Sequence, residues 1–318
     1  MPARDPDPVA KFAKSLNAIA PSLMTGNDRL GIAVSGGPDS LALLLLAQDL
    51  LPGRVDAATV DHGLRPESRA EAGQVAEICA SRGIPHKILT PAEPITGSLQ
   101  SAARKTRYDL LYRWAEERQL SYIATAHHAD DQLETLVMRL LRGSGIDGLA
   151  GIRARRGTLI RPLLGFTKAE LIGYLAEQGI SPVADPSNEC RDFDRVRVRQ
   201  GLEKIEGFDM ARVSVSVRAL EEARAALDWI VSREANHCIT VNADSITLQK
   251  TDYPSEIQRR LLSACLLQID PKQPLRGPQI SDALKRLGRG ERLTLGNILC
   301  EGGEVWKFSV APARRKID

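Results

Sequence analysis

The sequence predicts an α/β protein. Residues 1–205 read as a parallel sheet with helices on both faces, and residues 206–318 as a smaller, mainly helical α+β domain. Two observations carry this. Short apolar, β-like runs alternate with helix-spaced segments through the first two thirds of the chain, the pattern that builds a parallel sheet. After about residue 205 the alternation gives way to one long helical stretch and short hairpin-like pieces.

The elements follow in order. Arg29–Val34 is an apolar strand that meets a Gly-Gly turn, and Leu41–Leu51 is apolar all round, as a buried helix is. Val55–Asp61 is β-like; Glu67–Ser81 has helical spacing, with Gly83 just beyond it as a stop. His86–Leu89 reads as a third strand, Ser98–Gln119 as a long amphipathic helix and Tyr122–Thr125 as a fourth strand. Asp130–Leu141 is a helix with carboxylates in its first turn, where the helix dipole favours them. Its Leu136, Val137, Leu140 and Leu141 are expected in the core. In the second domain, Val213–Ala235 is one long helix, and Ile239–Leu248 a hairpin around Asn242-Ala243-Asp244. Helices follow at Glu256–Gln268 and Ile280–Leu287, then strands at Arg292–Leu299 and Val305–Val310.

Composition narrows the class. The chain is 43% hydrophobic and 26% charged, as ordinary globular proteins are. Its longest apolar run, Leu41–Ala47, falls far short of the roughly 20 residues that span a bilayer. The cysteines at 79, 190, 238, 265 and 300 form no C-x-x-C pair, which argues against a zinc knuckle or a redox dithiol. Five cysteines without a secretory leader fit a reducing cytoplasm, the expected location. A net charge of +3 is a weak argument for nucleic acid. Local charge says more: from Arg139 to Ile172 there are seven basic residues and two acidic ones. Such runs hold phosphates or form a solvated face.

Three strings carry chemistry. Ser35-Gly36-Gly37-Pro38-Asp39-Ser40 lies between a strand and a helix. Glycine lets the backbone approach an anion, and the following helix N-terminus presents unpaired N–H groups, so this is a pyrophosphate cradle to which serine hydroxyls add donors. Asp39 would repel phosphate there unless Mg²⁺ lay between them. The second strand ends on Asp61-His62-Gly63, at the carboxyl edge of the sheet where ligands bind. Asp61 suits a ribose or amino group and His62 suits stacking or capping. Third, Thr125-Ala126-His127-His128-Ala129-Asp130-Asp131-Gln132-Leu133-Glu134-Thr135 leaves a strand and enters a helix. Asp131 and Glu134 share one helical face, which would point back to the phosphate loop. They could share Mg²⁺ with Asp39 or orient an amine. Arg104 and Arg107 stand one turn apart early on the Ser98–Gln119 helix, and Arg195, Arg197 and Arg199 occupy alternate positions. Taken singly, each string also reads as a capped turn or a charged surface.

The first string resembles the PP-loop of the N-type ATP pyrophosphatases, which cleave ATP between the α and β phosphates. It is not a Walker loop, since no G-x-x-x-x-G-K-[ST] is present. With it, Val60–Arg65, the His127–Thr135 string, Arg142–Gly151 and Asp185–Asn188 followed by Arg195–Arg199 resemble the tRNA(Ile)-lysidine synthases. The likeness is strong from Ser35 to Arg199 and weaker beyond, where Leu295–Gly303 and Trp306 look like the end of a short-form member. Val196 stands where the family pattern has asparagine.

That resemblance implies a Rossmann-like, PP-loop fold, ATP with Mg²⁺, and as partners free lysine and the tRNA(Ile) with a CAU anticodon. It implies adenylation of the wobble cytidine by ATP, followed by displacement of AMP by lysine. Asp39, Asp131, Glu134, Arg107 and Arg199 are then the catalytic residues. Ser35, Gly36, Gly37, Pro38, Asp39, Ser40, Asp61 and His62 would bind ATP, with Asp39 and Asp131 on the metal. Arg104, Arg139, Arg142, Arg195 and Arg197 would bind tRNA, with Gly143–Gly151 a flexible loop near its backbone. The second domain is the expected reader of the tRNA beyond its anticodon, with Arg259, Arg260, Lys285, Arg286 and Arg289 on the backbone. A homodimer is one assembly the sequence allows. Three alternatives stay open. A tRNA thiolase would need paired cysteines or an iron–sulfur cluster. A small-molecule amide synthetase would leave the second domain unused. The last is a non-catalytic nucleotide-sensing or RNA-binding module.

Overall fold

A computed structural model describes residues 7–61, 66–92, 99–180, 193–202, 210–249, 251–273 and 277–312. His62, the turn at Ala184–Asn188 and the expected division at 205/206 lie outside the described residues. The chain forms two compact units, Met1–Glu221 and Glu222–Asp318.

The first unit opens with helices α1 (Pro8–Ile19) and α2 (Ser22–Thr25), which the alternation did not announce. Then come β1 (Leu30–Ala33), α3 (Pro38–Leu50), β2 (Val55–Val60), α4 (Pro66–Ser81), β3 (His86–Leu89), α5 (Leu99–Glu117), β4 (Tyr122–Ala124) and α6 (Ala129–Leu141), close to their expected places. Beyond them lie α7 (Ile146–Leu149), β5 (Arg155–Arg156), β6 (Leu159–Ile160), α8 (Lys168–Glu177) and α9 (Phe193–Leu202), none of them read from the sequence. The sheet order is β3-β2-β1-β4-β6-β5, with every pair parallel except β5 on β6. The chain builds outward from β1 in one direction and from β4 in the other. The β1/β4 boundary is therefore the switch point at which such sheets bind ligands.

Two cores sandwich this sheet. On one face Leu41–Ala47 of α3 are all buried with Phe12, Leu16, Phe166, Leu171 and Leu175. On the other, Leu111 and Trp114 of α5 pack on Ile123 and Leu159. Gly31 sits in β1 because no side chain fits: a Cβ there would lie 2.7 Å from both Trp114 and Leu120.

α6 corrects one expectation. Leu140 and Leu141 are 61% and 76% exposed, while Gln132, Leu133, Glu134 and Thr135 are buried. The apolar count misjudges the face because the polar residues have partners inside. The Gln132 side chain donates to Ile152 O and accepts from Ile152 N, at 2.9 and 2.6 Å. α9 carries the alternate arginines on a helix, so positions 195 and 199 fall one turn apart.

α10 (Met210–Cys238) runs through the division into the second unit. There, β7 (Ile239–Val241), β8 (Ile246–Leu248), β9 (Arg292–Leu295), β10 (Ile298–Glu301) and β11 (Trp306–Val310) form an antiparallel sheet in the order β7-β8-β11-β10-β9. Helices α11 (Ser255–Ile269) and α12 (Gly277–Leu287) share its core through Leu261, Leu262, Ile280 and Leu287. The single strand expected at Arg292–Leu299 is a hairpin, turned at Gly296 with φ 61°. Arg260, expected on an RNA backbone, is instead 9% exposed and bonded to Asp228 and Glu256 at 2.5 and 2.8 Å. Among the described residues no helix is long and apolar enough to cross a membrane.

The packing of Gly31 gives a paired test. Gly31→Ala is expected to cost ~1–3 kcal/mol by overpacking. Gly73→Ala, in α4 with nothing within 4 Å of the new Cβ, is expected to gain ~0.5–1 kcal/mol from helix propensity. Urea unfolding midpoints of the two variants should move in opposite directions.

Candidate functional site

The phosphate loop joins β1 to α3. Gly36 has φ 87°, a left-handed conformation that favours glycine, and extended Gly37 precedes Pro38 at the first position of α3. The Ser40 hydroxyl accepts from Ser35 N at 3.1 Å and donates to Gly37 O at 2.9 Å. It is buried, so it braces the loop from within, while Ser35 stays exposed. Asp39 is in the first turn of α3.

The N-terminus of α6 meets that loop. His128 is the N-cap residue, and its backbone N donates to Asp131 Oδ2 at 3.0 Å. Its buried ring gathers three carboxylates. Nε2 lies 3.5 Å from Asp39 Oδ2 and 3.6 Å from Asp131 Oδ2. Nδ1 is 3.2 Å from Asp130 Oδ2, close enough for charge attraction but without the alignment of a hydrogen bond. Burial pushes the ring toward neutrality, but its contacts with Asp130 and Asp39 and the attraction of Asp131 outweigh it, and the pKa is pushed up to about 10. The same Asp130 oxygen accepts from Lys168 N at 2.9 Å, tying α6 to the start of α8. Asp39 Oδ1 is buried with no hydrogen-bond partner.

That orphaned oxygen bears on the metal. Among the described residues no group of three or more His, Cys, Asp or Glu side chains could hold an ion alone. Mg²⁺ ordinarily takes one or two carboxylates and completes its shell with phosphate and water. Asp39 and Asp131, side by side next to the cradle, fit that pattern, and Asp39 Oδ1 is a ligand atom without other duty.

The remaining expected residues divide. The Glu134 side chain is 5% exposed, and its Oε1 accepts from Arg199 Nε and Nη2 at 2.8 and 2.6 Å. His127 Nδ1 is 3.0 Å from Thr125 Oγ1. Burial pushes the His127 ring down to about 4 against the opposing pull of Asp131, and the charges of Arg161, Arg107 and Arg104 push the same way as burial. The early turns of α5 therefore reach this site. Arg104 also stacks on Tyr108 at 5.3 Å. Asp61 is buried at the end of β2, its N donating to Leu89 O at 2.9 Å.

The stretch from Gly143 to Gly151, expected to be flexible, instead contains α7, and Arg139 Nη1 donates to Gly148 O at 3.2 Å. Arg139 thus holds the loop. Arg142 and Arg197 come together on a groove of about 510 Å³ floored by Val137, Met138 and Leu141. Sequence reasoning missed two residues. His128 stood in the string without a role, although it follows a strand and precedes an acidic helix. Arg161 interrupts the apolar run Leu159–Leu164, which is the signal that could have singled it out.

Comparison with known proteins identifies the fold and the family. Residues 8–205 match the PP-loop domain family. The chain is 40% identical to the tRNA(Ile)-lysidine synthase of Zymomonas mobilis subsp. mobilis over 315 residues, covering 96% of this chain and 94% of that one. It is also 40% identical to the tRNA(Ile)-lysidine synthase of Novosphingobium aromaticivorans, with the same coverage. Among solved structures, the U34-tRNA thiolase NcsA from Methanococcus maripaludis superimposes with a TM-score of 0.55 at 19% identity, over 67% of this chain and 78% of that one, a likeness of fold. By identity and coverage along nearly its whole length, the chain belongs to the tRNA(Ile)-lysidine synthase family, with a PP-loop domain over residues 8–205.

Proposed function

We propose that this protein is an ATP-dependent carbon–nitrogen ligase that joins lysine to carbon 2 of the wobble cytidine in the CAU anticodon of tRNA(Ile). The reading takes its substrates from the family and its chemistry from one observation: Asp39 of the phosphate loop and Asp131 of α6 meet on the same imidazole nitrogen. The cytidine 2-oxo group attacks the α-phosphate of ATP, and pyrophosphate leaves. The side-chain amine of lysine then attacks carbon 2, and the former 2-oxo oxygen departs with AMP. The product pairs with AUA instead of AUG.

Each residue has work suited to its surroundings. Gly36, Gly37 and the N-terminus of α3 hold the leaving pyrophosphate. Asp39 and Asp131 would hold Mg²⁺, which would supply charge neutralisation at the phosphates. His128 keeps the two carboxylates in register. Glu134, oriented by Arg199 through Oε1, lies on the same helix as Asp131 and is the carboxylate available to the base or to the amine. Arg107 stabilises charge developing on the α-phosphate. Arg142 and Arg197, at the rim of their apolar groove, suit a nucleotide flanking the reacting base. The second unit is the candidate reader beyond the anticodon, with Lys285 and Arg289 exposed on its surface.

The direct test is mass analysis of tRNA(Ile) after incubation with the protein, ATP and lysine. A gain of one lysine less one water is expected on the wobble cytidine. An unchanged tRNA with active protein would sink the proposal. The carboxylates give a graded test. Asp39→Asn and Asp131→Asn should each lower turnover at least ~100-fold, the scale of losing one transition-state electrostatic contact. Asp130→Asn, whose carboxylate faces α8, should lower it far less. Equal losses in all three would show that Asp130 serves the site as directly as Asp39 and Asp131.

A further inference from the structure

Among the described residues, Arg161 is a buried cation without an anion. It is 7% exposed, and Nη1 donates to the backbone oxygen of Arg153 at 2.7 Å. Its Nε is buried and bonded to nothing. A guanidinium out of water ordinarily has a carboxylate or another charged partner, because an uncompensated buried charge is costly. Neither ion pair nor carboxylate contact is found for it among the described residues, whereas Arg260, the other arginine buried to this degree among them, holds Asp228 and Glu256.

Its position explains why such a group would be tolerated. Thr125 N donates to Ile160 O, and β4 and β6 run parallel with Ala124 beside Ile160. Arg161 therefore stands next to Thr125 at the carboxyl edge of the sheet, one strand beyond the β1/β4 switch point. Strand alternation puts it on the side of Leu159 and Ile123, the side covered by α5. Thr125 holds His127, and His127 feels the charges of Arg161, Arg107, Arg104 and Asp131 together. The partnerless Nε of Arg161 thus lies in the charge environment of His127, the residue that follows Ala126 beyond the end of β4 and leads into the acidic turn of α6.

We propose that Arg161 is a substrate-contacting residue whose guanidinium takes an oxyanion of a small substrate at this site. The chemistry fits two sources, a phosphoryl oxygen of ATP or the carboxylate of free lysine. The proposal rests on the ligase reading above for its second source only.

The test uses the full chain with Arg161→Gln and Arg161→Lys. Three quantities are measured: the unliganded melting temperature, the Kd of α,β-methylene-ATP with Mg²⁺ by calorimetry, and the KM for lysine at saturating ATP and tRNA. Arg161→Gln should weaken one of the two constants about tenfold or more, the scale of a charged hydrogen bond, and leave the other within about twofold. The constant that moves names the oxyanion. Arg161→Lys should recover part of the loss, and the unliganded melting temperature should hold or rise as a buried charge is removed. Both constants unchanged, or both variants failing to fold, would overturn the proposal and make Arg161 a structural group. Absence of lysine incorporation by the unaltered protein would instead count against the ligase reading, and the nucleotide arm would still decide Arg161.

Discussion

Two carboxylates held within reach of one imidazole nitrogen set the terms for the rest of this structure. Asp39 and Asp131 come from different helices, α3 and α6, and each sits in the first turn after a strand of the same sheet. Like charges this close repel, and burial worsens the cost. The His128 ring, charged in this environment, supplies the opposing positive charge. The two helix N-termini add their own positive ends. The site is therefore a place where negative charge is concentrated on the protein and positive charge is arranged around it, which suits a metal–phosphate ligand better than a bare anion. The fold serves this meeting. β1 and β4 must be neighbours, Gly31 must lack a side chain so that α5 can close over β1, and Asp130 must hold α8 rather than compete for the loop.

The arginines show how a charge run in a sequence divides once folded. Arg139 is spent on the backbone of Gly148, Arg199 on Glu134 and Arg260 on Asp228 and Glu256. Arg142 and Arg197 instead line one groove. Counting basic residues could not separate these groups, because the fates of Arg199 and Arg260 depend on acids brought close from elsewhere in the chain. Glu134 and Arg199 are 65 residues apart.

Local signals were legible where the physics is local. The alternation of strands and helices from Leu30 to Leu141, the Gly36-Gly37 turn and the acidic start of α6 could all be read from neighbouring residues. The short β5–β6 hairpin could not, since two-residue strands carry no periodicity, whereas α1 and α8 carried local signals that the alternation passed over, Asp7 before Pro8 and the Thr167–Glu170 capping box. The buried face of α6 was misjudged for a different reason: Gln132 and Glu134 are inside only because Ile152 and Arg199 are there to meet them. The place of His128 is not legible locally, since its ring contact comes from Asp39, eighty-nine positions earlier in the sequence.

The central claim is that the phosphate loop and the acidic turn of α6 form one site that breaks ATP between its α and β phosphates. The nucleotide products of a reaction with tRNA(Ile) and lysine test it most directly. The account predicts AMP and pyrophosphate in equal amounts, matching the lysine incorporated. ADP and inorganic phosphate as the products would contradict it.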